Sequence, residues 1–172
     1  VCNNTVQGVY DYGILLTSGG IWTHVEGNFF EGRSIIGVIA ISAAGANVGE
    51  VYIGPNGKGA MTYSSAPVAD LLVFDFGTMP TLTIEGLVNW KANFTTLPTI
   101  MKIRNCSLLF DNADVLNFGM GATNSLLVSD SSFGTISGTL HLSHQCLRGS
   151  QGAYYTFNNC TFQNILGSIA YD

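Results

Sequence analysis

Charged side chains are scarce in this chain of 172 residues, and their scarcity excludes several classes of protein. Lys and Arg number 6 and Asp and Glu number 11, so 10% of the residues are charged. An average soluble domain carries roughly 25%. Binding of nucleic-acid phosphates requires clustered basic side chains, and we therefore expect no nucleic-acid partner. Intrinsic disorder is excluded because a chain that is 47% hydrophobic can bury enough surface to offset its ordering entropy.

Long apolar runs are missing as well. The longest is the 12-residue run from Ile35 to Ala46, whose sequence is IIGVIAISAAGA. A membrane-spanning helix needs about 20 apolar residues. The run is also rich in β-branched residues, which favour strands. We expect buried strand here and no membrane-spanning segment.

The N-terminus and the glycosylation sequons favour a location outside the cell. The chain begins at Val1 without an initiator Met, as expected for a processed product. Four N-x-[ST] sequons begin at Asn3, Asn93, Asn105 and Asn159. We expect an extracellular protein, or one at the surface of a cell or virion. Asn3 and Asn93 are the better predicted acceptors of sugar, because Asn105 and Asn159 are expected to be hydrogen-bonded and partly buried.

Residues that favour helices are few, and short apolar runs bounded by turn residues recur. There are four Glu and three Lys, and no dozen-residue window keeps a helical apolar period free of Gly. Runs of strand length include Glu50–Ile53, Leu71–Phe76 and Thr81–Ile84, and Gly54-Pro55-Asn56-Gly57 has the composition of a turn. The sequence predicts a single all-β domain over residues 1–172.

A short pattern of an apolar residue, a turn residue and a second apolar residue returns along the chain. Its copies are Ile103-Arg104-Asn105-Cys106-Ser107-Leu108, Val128-Ser129-Asp130-Ser131-Ser132-Phe133, Phe157-Asn158-Asn159-Cys160-Thr161-Phe162 and, more loosely, Val25-Glu26-Gly27-Asn28-Phe29-Phe30. A period in the twenties with this content is typical of a parallel β-solenoid, whose strands stack about 4.8 Å apart. At about 26 residues per turn, the chain predicts six to seven turns.

This register makes specific predictions. Asn105, Asp130 and Asn159 are expected to form one ladder at the bend, and Leu108, Phe133 and Phe162 one interior stack. The pattern resembles right-handed parallel β-helix proteins of the pectate-lyase-like kind, mainly over residues 100–172. The resemblance implies a β-helix fold and, for the function, binding or cleavage of polysaccharide.

A β-sandwich or jelly roll remains the alternative architecture. Turn signals at hairpin spacing, such as Gly45, Ser64–Pro67 and Gly77–Pro80, are typical of that class. In that architecture the run Val6–Leu16 could leave its own domain and complete the sheet of a neighbouring molecule.

The four cysteines distinguish the two architectures. They are Cys2, Cys106, Cys146 and Cys160. In the solenoid, Cys106 and Cys160 share a column two turns apart, about 9–10 Å, which is too far for a disulfide. The solenoid therefore predicts free thiols, whereas a sandwich accommodates a disulfide between its sheets.

Candidate chemistry is sparse. Asp111, Asp114 and Asp130, with Arg104 as the nearest basic residue, form the one carboxylate set that a polysaccharide-cleaving β-helix could use. Asp is equally an ordinary turn residue. No metal site and no cofactor are predicted, and the absence of a catalytic constellation favours a role without catalysis.

Low charge and apolar ends favour self-association. An uncapped solenoid exposes unpaired backbone groups at its end turns. We therefore expect a structural or adhesive protein that assembles with itself into a filament, surface layer or multimeric spike. The alternative is a β-helix protein that binds or cleaves polysaccharide.

Overall fold

The computed structural model describes residues 1–17, 22–41, 49–61, 69–73, 81–94, 100–110, 125–135, 140–141, 154–163 and 165–166. Every regular element in these ranges is a strand. The strands are β1 Thr5–Leu16, β2 Trp22–Val25, β3 Phe29–Ile41, β4 Glu50–Ile53, β5 Gly57–Met61, β6 Ala69–Val73, β7 Thr81–Glu85, β8 Trp90–Phe94, β9 Ile100–Arg104, β10 Ser107–Phe110, β11 Ser125–Ser129, β12 Ser132–Thr135, β13 Leu140–His141, β14 Tyr154–Asn158, β15 Thr161–Phe162 and β16 Ile165–Leu166.

Parallel pairing between successive passes of the chain defines the architecture. One sheet has the order β1-β3-β6-β8-β10-β12-β15, with β5 also pairing β3. The second, six-stranded sheet has the order β14-β11-β9-β7-β4-β2, and β13 pairs β16. The fold is a parallel β-solenoid, as the repeats predict. The sandwich alternative is wrong, and the run Val6–Leu16 lies in β1, which pairs in parallel with β3 of its own chain.

Alternation along the six-stranded sheet places apolar residues in two interior columns. One column runs from Val25 through Ile53, Ile84 and Ile103 to Val128 and Phe157. The other includes Val51, Leu82, Met101 and Leu126, all buried. From Val25 to Ile103 the steps between successive strands are 28, 31 and 19 residues. The loose early copy of the pattern therefore shares the register of the clear copies, as predicted.

The side of the core that the other, eight-stranded sheet forms is rich in aromatic residues. Trp90, Leu108, Phe133 and Phe162 are successive partners in one column. The rings of Phe133 and Phe162 are stacked with centroids 5.3 Å apart, and Trp90 meets Phe30 edge-on at 6.1 Å. The predicted stack of Leu108, Phe133 and Phe162 is confirmed.

The bends between the two sheets are not uniform. Two-residue bends follow β9, β11 and β14, and each begins with a residue in the left-handed region, at Asn105 (φ 49°), Asp130 (φ 50°) and Asn159 (φ 52°). Three residues separate β2 from β3 and β4 from β5, and four separate β7 from β8. The prediction of six to seven turns is corrected to about three, which is the number of turns that share the two-residue bend.

An amide ladder, buried at Asn28 and Asn56, occupies the inner position of the early bends. The Asn28 backbone N–H and Nδ2 donate to Oδ1 of Asn56 at 3.0 and 2.9 Å. The same two groups of Asn4 donate to Oδ1 of Asn28 at 3.1 and 3.0 Å. Asn28 is 1% exposed. This ladder lies one residue after the bend position at which a ladder is predicted.

In the later bends the same inner position holds Cys106, Ser131 and Cys160. Each side chain donates to the carbonyl two residues earlier, at 3.1, 2.7 and 3.3 Å. The Cys106 backbone N–H donates to Ser131 Oγ at 3.1 Å, so Ser131 lies between the two cysteines. Cys2, Cys106 and Cys160 are free thiols. The prediction of unbridged cysteines is confirmed for these three, and Cys146 lies outside the described residues.

Candidate functional site

The outer face of the six-stranded sheet carries the side chains that its alternation turns away from the core. Trp22 and Glu50 are direct partners on β2 and β4, and His24 is the partner of Tyr52. On the next strands, Thr83 pairs with Lys102 and Glu85 with Arg104. Aromatic and charged residues of four successive strands therefore share this face.

Three aromatic side chains form a continuous aromatic row, defined here as Trp22, His24 and Tyr52. The ring centroids of Trp22 and His24 are 4.0 Å apart, and those of His24 and Tyr52 are 4.9 Å apart. Trp22 is 65% exposed although it is large and apolar. A row of this kind presents flat apolar surface to a ligand.

Carboxylates border the aromatic row. The Tyr52 hydroxyl donates to Oε2 of Glu85 at 3.4 Å, and Nδ1 of His24 lies 4.0 Å from Oε1 of Glu26. Partial burial raises the pKa of Tyr52, and the nearby charges of Glu85 and Glu26 raise it further. The phenol therefore stays protonated at neutral pH and keeps its capacity to donate a hydrogen bond.

These side chains line a concavity of about 240 Å³, which we name the face groove. It runs across β2, β4, β7 and β9, and its lining includes Trp22, His24, Glu50, Tyr52, Glu85, Lys102 and Arg104. The two basic residues are confined to β9, at the opposite end from Trp22. The arrangement provides aromatic surface, hydrogen-bonding groups and charges of both signs, which suits the binding of a polar ligand.

A second concavity of about 420 Å³, the bend groove, follows the bends of the later turns. Its lining includes Val88, Asn105, Asp130 and Asn159. Nδ2 of Asn159 donates to Oδ1 of Asp130 at 2.8 Å. The predicted bend ladder is thus formed by side chains between Asp130 and Asn159. The Asn105 backbone N–H donates to the Ser129 carbonyl of the next turn at 3.1 Å.

Two residues of the predicted carboxylate set, Arg104 and Asp130, lie among the described residues. Arg104 lines the face groove and Asp130 lines the bend groove. Asp111 and Asp114 lie outside the described residues. Within the part of the chain that is described, no group of three His, Cys, Asp or Glu could hold a metal ion.

The aromatic row was not predicted from the sequence. Trp22 and His24 alternate on one strand, which is a visible signal, but Tyr52 joins them only through the register between β2 and β4. That register connects residues 28 positions apart across a bend with no Asn-Cys or Asp-Ser signature. The outer face could have been found by aligning Val25 with Ile53 and extending the alignment backwards.

Three predicted sugar acceptors share one structural position. Asn3, Asn105 and Asn159 all have positive φ at a bend and are exposed. The expectation that Asn105 and Asn159 are partly buried is wrong, because at this position the side chain points out of the solenoid. Asn93 lies in strand β8. The recurrence of these sequons has a conformational cause, since Asn tolerates the left-handed region better than most residues.

Comparisons with protein-family models, curated proteins and solved structures find no match for this chain. Among the described residues, no helix has the length and apolar character needed to cross a membrane.

Proposed function

We propose that this solenoid binds a polysaccharide along the outer face of its six-stranded sheet. The observation that carries the proposal is the aromatic row in the face groove, in which Trp22 is exposed and His24 and Tyr52 are half-buried. Sugar rings have apolar C–H faces that pack on aromatic rings, and their hydroxyl groups hydrogen-bond to carboxylates and amides at the edges. Glu50 and Glu85 provide such acceptors beside the row.

The direction of the face groove favours an elongated ligand. It crosses four parallel strands, from β2 to β9. With strands about 4.8 Å apart, the groove extends for about 14 Å along the solenoid axis. This length accommodates a short stretch of a polymer rather than a single small molecule.

The remaining sequence features are consistent with this role. The repeat pattern resembles pectate-lyase-like β-helices, and low charge with N-x-[ST] sequons favours a protein outside the cell or at a cell or virion surface. We propose binding without cleavage, because glycoside hydrolysis needs a pair of carboxyl groups and, of Glu50 and Glu85 in the face groove, Glu85 is engaged by neighbouring side chains. Glu85 accepts from Tyr52 and is the register partner of Arg104.

Titration of the purified protein with a panel of soluble polysaccharides, followed by calorimetry, tests the proposal. Trp22→Ala should weaken binding of the responding polymer by about tenfold, as expected when an exposed aromatic platform of about 1.4 kcal/mol is removed. Leu127→Ala is the matched control, because Leu127 is exposed on the same sheet face but does not line the groove. Equal affinity of both variants and the parent protein would contradict the proposal.

Self-association is the second candidate, and the edge of β1 favours it. No described strand pairs with the outer edge of this 12-residue strand. Val9 and Leu15 project from it with exposed fractions of 70% and 40%. A long exposed edge with apolar side chains is a template for pairing with another chain, and we propose a second copy as its occupant.

Sedimentation velocity at micromolar concentration tests this second proposal. Val9→Lys should convert an oligomer to monomer, because a charge on the strand edge opposes pairing. Val88→Lys adds the same charge at an exposed bend residue away from β1 and should leave the oligomer intact. A parent protein that sediments as a monomer would rule the candidate out.

A further inference from the structure

We propose that the ligand of the face groove is an amino-sugar polymer whose protonated amine lies between Trp22 and Glu50. This inference rests on the proposed polysaccharide site and specifies the chemistry of its ligand. The two residues are direct register partners on β2 and β4, so their side chains leave the same face of the sheet side by side. Both line the groove and both are exposed.

The carboxylates in and beside the groove differ in whether another side chain already contacts them. Glu85 accepts a hydrogen bond from Tyr52 and is the partner of Arg104. Glu26, which does not line the groove, has its Oε1 4.0 Å from Nδ1 of His24. Glu50 makes no hydrogen bond or ion pair with another described side chain, and it is therefore the carboxylate available to a cationic ligand.

The aromatic partner suits a cation. An ammonium group within about 6 Å of an indole ring is attracted by the negative face of the ring, and Trp is the strongest of the aromatic residues in this respect. Trp22 stands at the end of the groove that is remote from Lys102 and Arg104. A positive charge placed there meets an aromatic face and a free carboxylate, and avoids the two basic side chains.

The rest of the aromatic row favours a sugar over a simple amine as the ligand of the groove. His24 follows Trp22 on β2, and Tyr52 faces His24 from β4, with the centroids of these two rings 4.9 Å apart. They provide apolar surface for the neighbouring rings of a chain. The net charge of the protein, −5 at pH 7, also attracts a polycation over distance.

Two oligosaccharides that differ in the group on C2 of each ring, a free amine or an acetamide, provide the test. A glucosamine oligomer carries one protonated amine per ring at mildly acid pH, and the N-acetylglucosamine oligomer of the same length carries none. Calorimetric titration should show the glucosamine oligomer binding at least about tenfold more tightly, which corresponds to one cation–π contact with a carboxylate beside it. Added salt should reduce this difference.

Glu50→Gln should remove most of the preference for the charged oligomer, seen as a larger fall in the affinity for that oligomer than in the affinity for the neutral one. Asp130→Asn is the matched control, since it removes the same charge at an exposed bend residue outside the face groove, where Asn already occupies the equivalent positions 105 and 159. An equal effect of both variants would mean that non-specific charge attraction explains binding, and would overturn the inference.

Different results would overturn the amino-sugar ligand and the polysaccharide site. Equal binding of the two oligomers, or tighter binding of an oligogalacturonate, would overturn the amino-sugar ligand and leave the polysaccharide site standing. If no polymer of the panel binds, and Trp22→Ala behaves like the parent protein, then the amino-sugar ligand and the polysaccharide site are both overturned.

Discussion

Nδ2 of Asn28 lies 2.9 Å from Oδ1 of Asn56, and this bond joins two turns through the interior of the bend. The same oxygen also accepts from the Asn28 backbone N–H at 3.0 Å. Nδ2 of Asn56 in turn donates to the Gly54 and Val25 carbonyls at 2.8 and 3.2 Å. One buried amide therefore satisfies polar groups of two successive bends, and its removal leaves several of them unpaired.

Asn28→Ala should lower the free energy of unfolding by about 1–3 kcal/mol, the cost of leaving buried donors and acceptors unsatisfied. Asn4 loses its acceptor and Asn56 its donor in this variant. Urea denaturation followed by circular dichroism measures the change. Asn158→Ala, at an exposed strand end, is the control and should change stability by less than about 0.5 kcal/mol. Equal stability of the two variants would show that the ladder contributes nothing.

Asp130 combines an exposed side chain with a left-handed backbone, at φ 50°. Asp130→Val should destabilise the fold by about 1–2 kcal/mol, because a β-branched residue is strained in this region. Ser129→Val, one residue earlier in β11, is the control, since Val is favoured in strands. Thermal unfolding of the two variants compares them. A similar midpoint for both would contradict the left-handed bend at this position.

The sequence predicts the later turns well because their bends are short and alike. Asn105, Asp130 and Asn159 each begin a two-residue bend, so the apolar residues on either side fall at constant offsets and the register can be read directly. In the early turns the bends have three or four residues and the steps vary from 19 to 31. A pattern with a fixed period cannot predict the register across such unequal steps, although it assigned Val25 to the correct interior column.

The face groove was harder to predict for a physical reason. Interior columns leave a trace in the sequence because burial restricts them to apolar residues, as at Ile53 and Ile84. Outer columns have no such restriction, and Trp22, Glu50 and Lys102 share no chemical property. Their proximity depends wholly on the register of β2, β4, β7 and β9, which the parallel pairing provides.

Phe133 tests the interior stack. It is fully buried between Leu108 and Phe162, and Phe133→Ala should cost about 3–5 kcal/mol because it leaves a cavity that its neighbours cannot fill. Phe133→Leu should cost clearly less, since Leu108 already occupies the same column one turn earlier. Chemical denaturation gives both values. Equal losses for the two variants would argue against a column that accepts either side chain.

The three described thiols should differ in reactivity according to their burial. Cys2 is exposed, Cys160 half-buried and Cys106 3% exposed. Burial raises the pKa of the Cys106 thiol, and the thiolate is the reactive form, so this cysteine should be alkylated last. Iodoacetamide labelling of the native protein, followed by peptide mass spectrometry, gives the order Cys2, Cys160, Cys106. Labelling in denaturant is the control and should remove the differences.

The raised pKa of Cys106 also links stability to pH. The thiol keeps its proton in the folded protein above about pH 8.5, where the unfolded chain loses it. The stability that depends on this group is therefore complete below about pH 8.5 and declines as the pH rises toward the folded pKa. Cys106→Ala should flatten this part of the pH profile, with Cys2→Ala as the exposed control. In the structure Ser131 lies between Cys106 and Cys160. A disulfide between these two cysteines under non-reducing conditions would therefore contradict both the burial of the Cys106 thiol and the stacking of the three residues in successive bends.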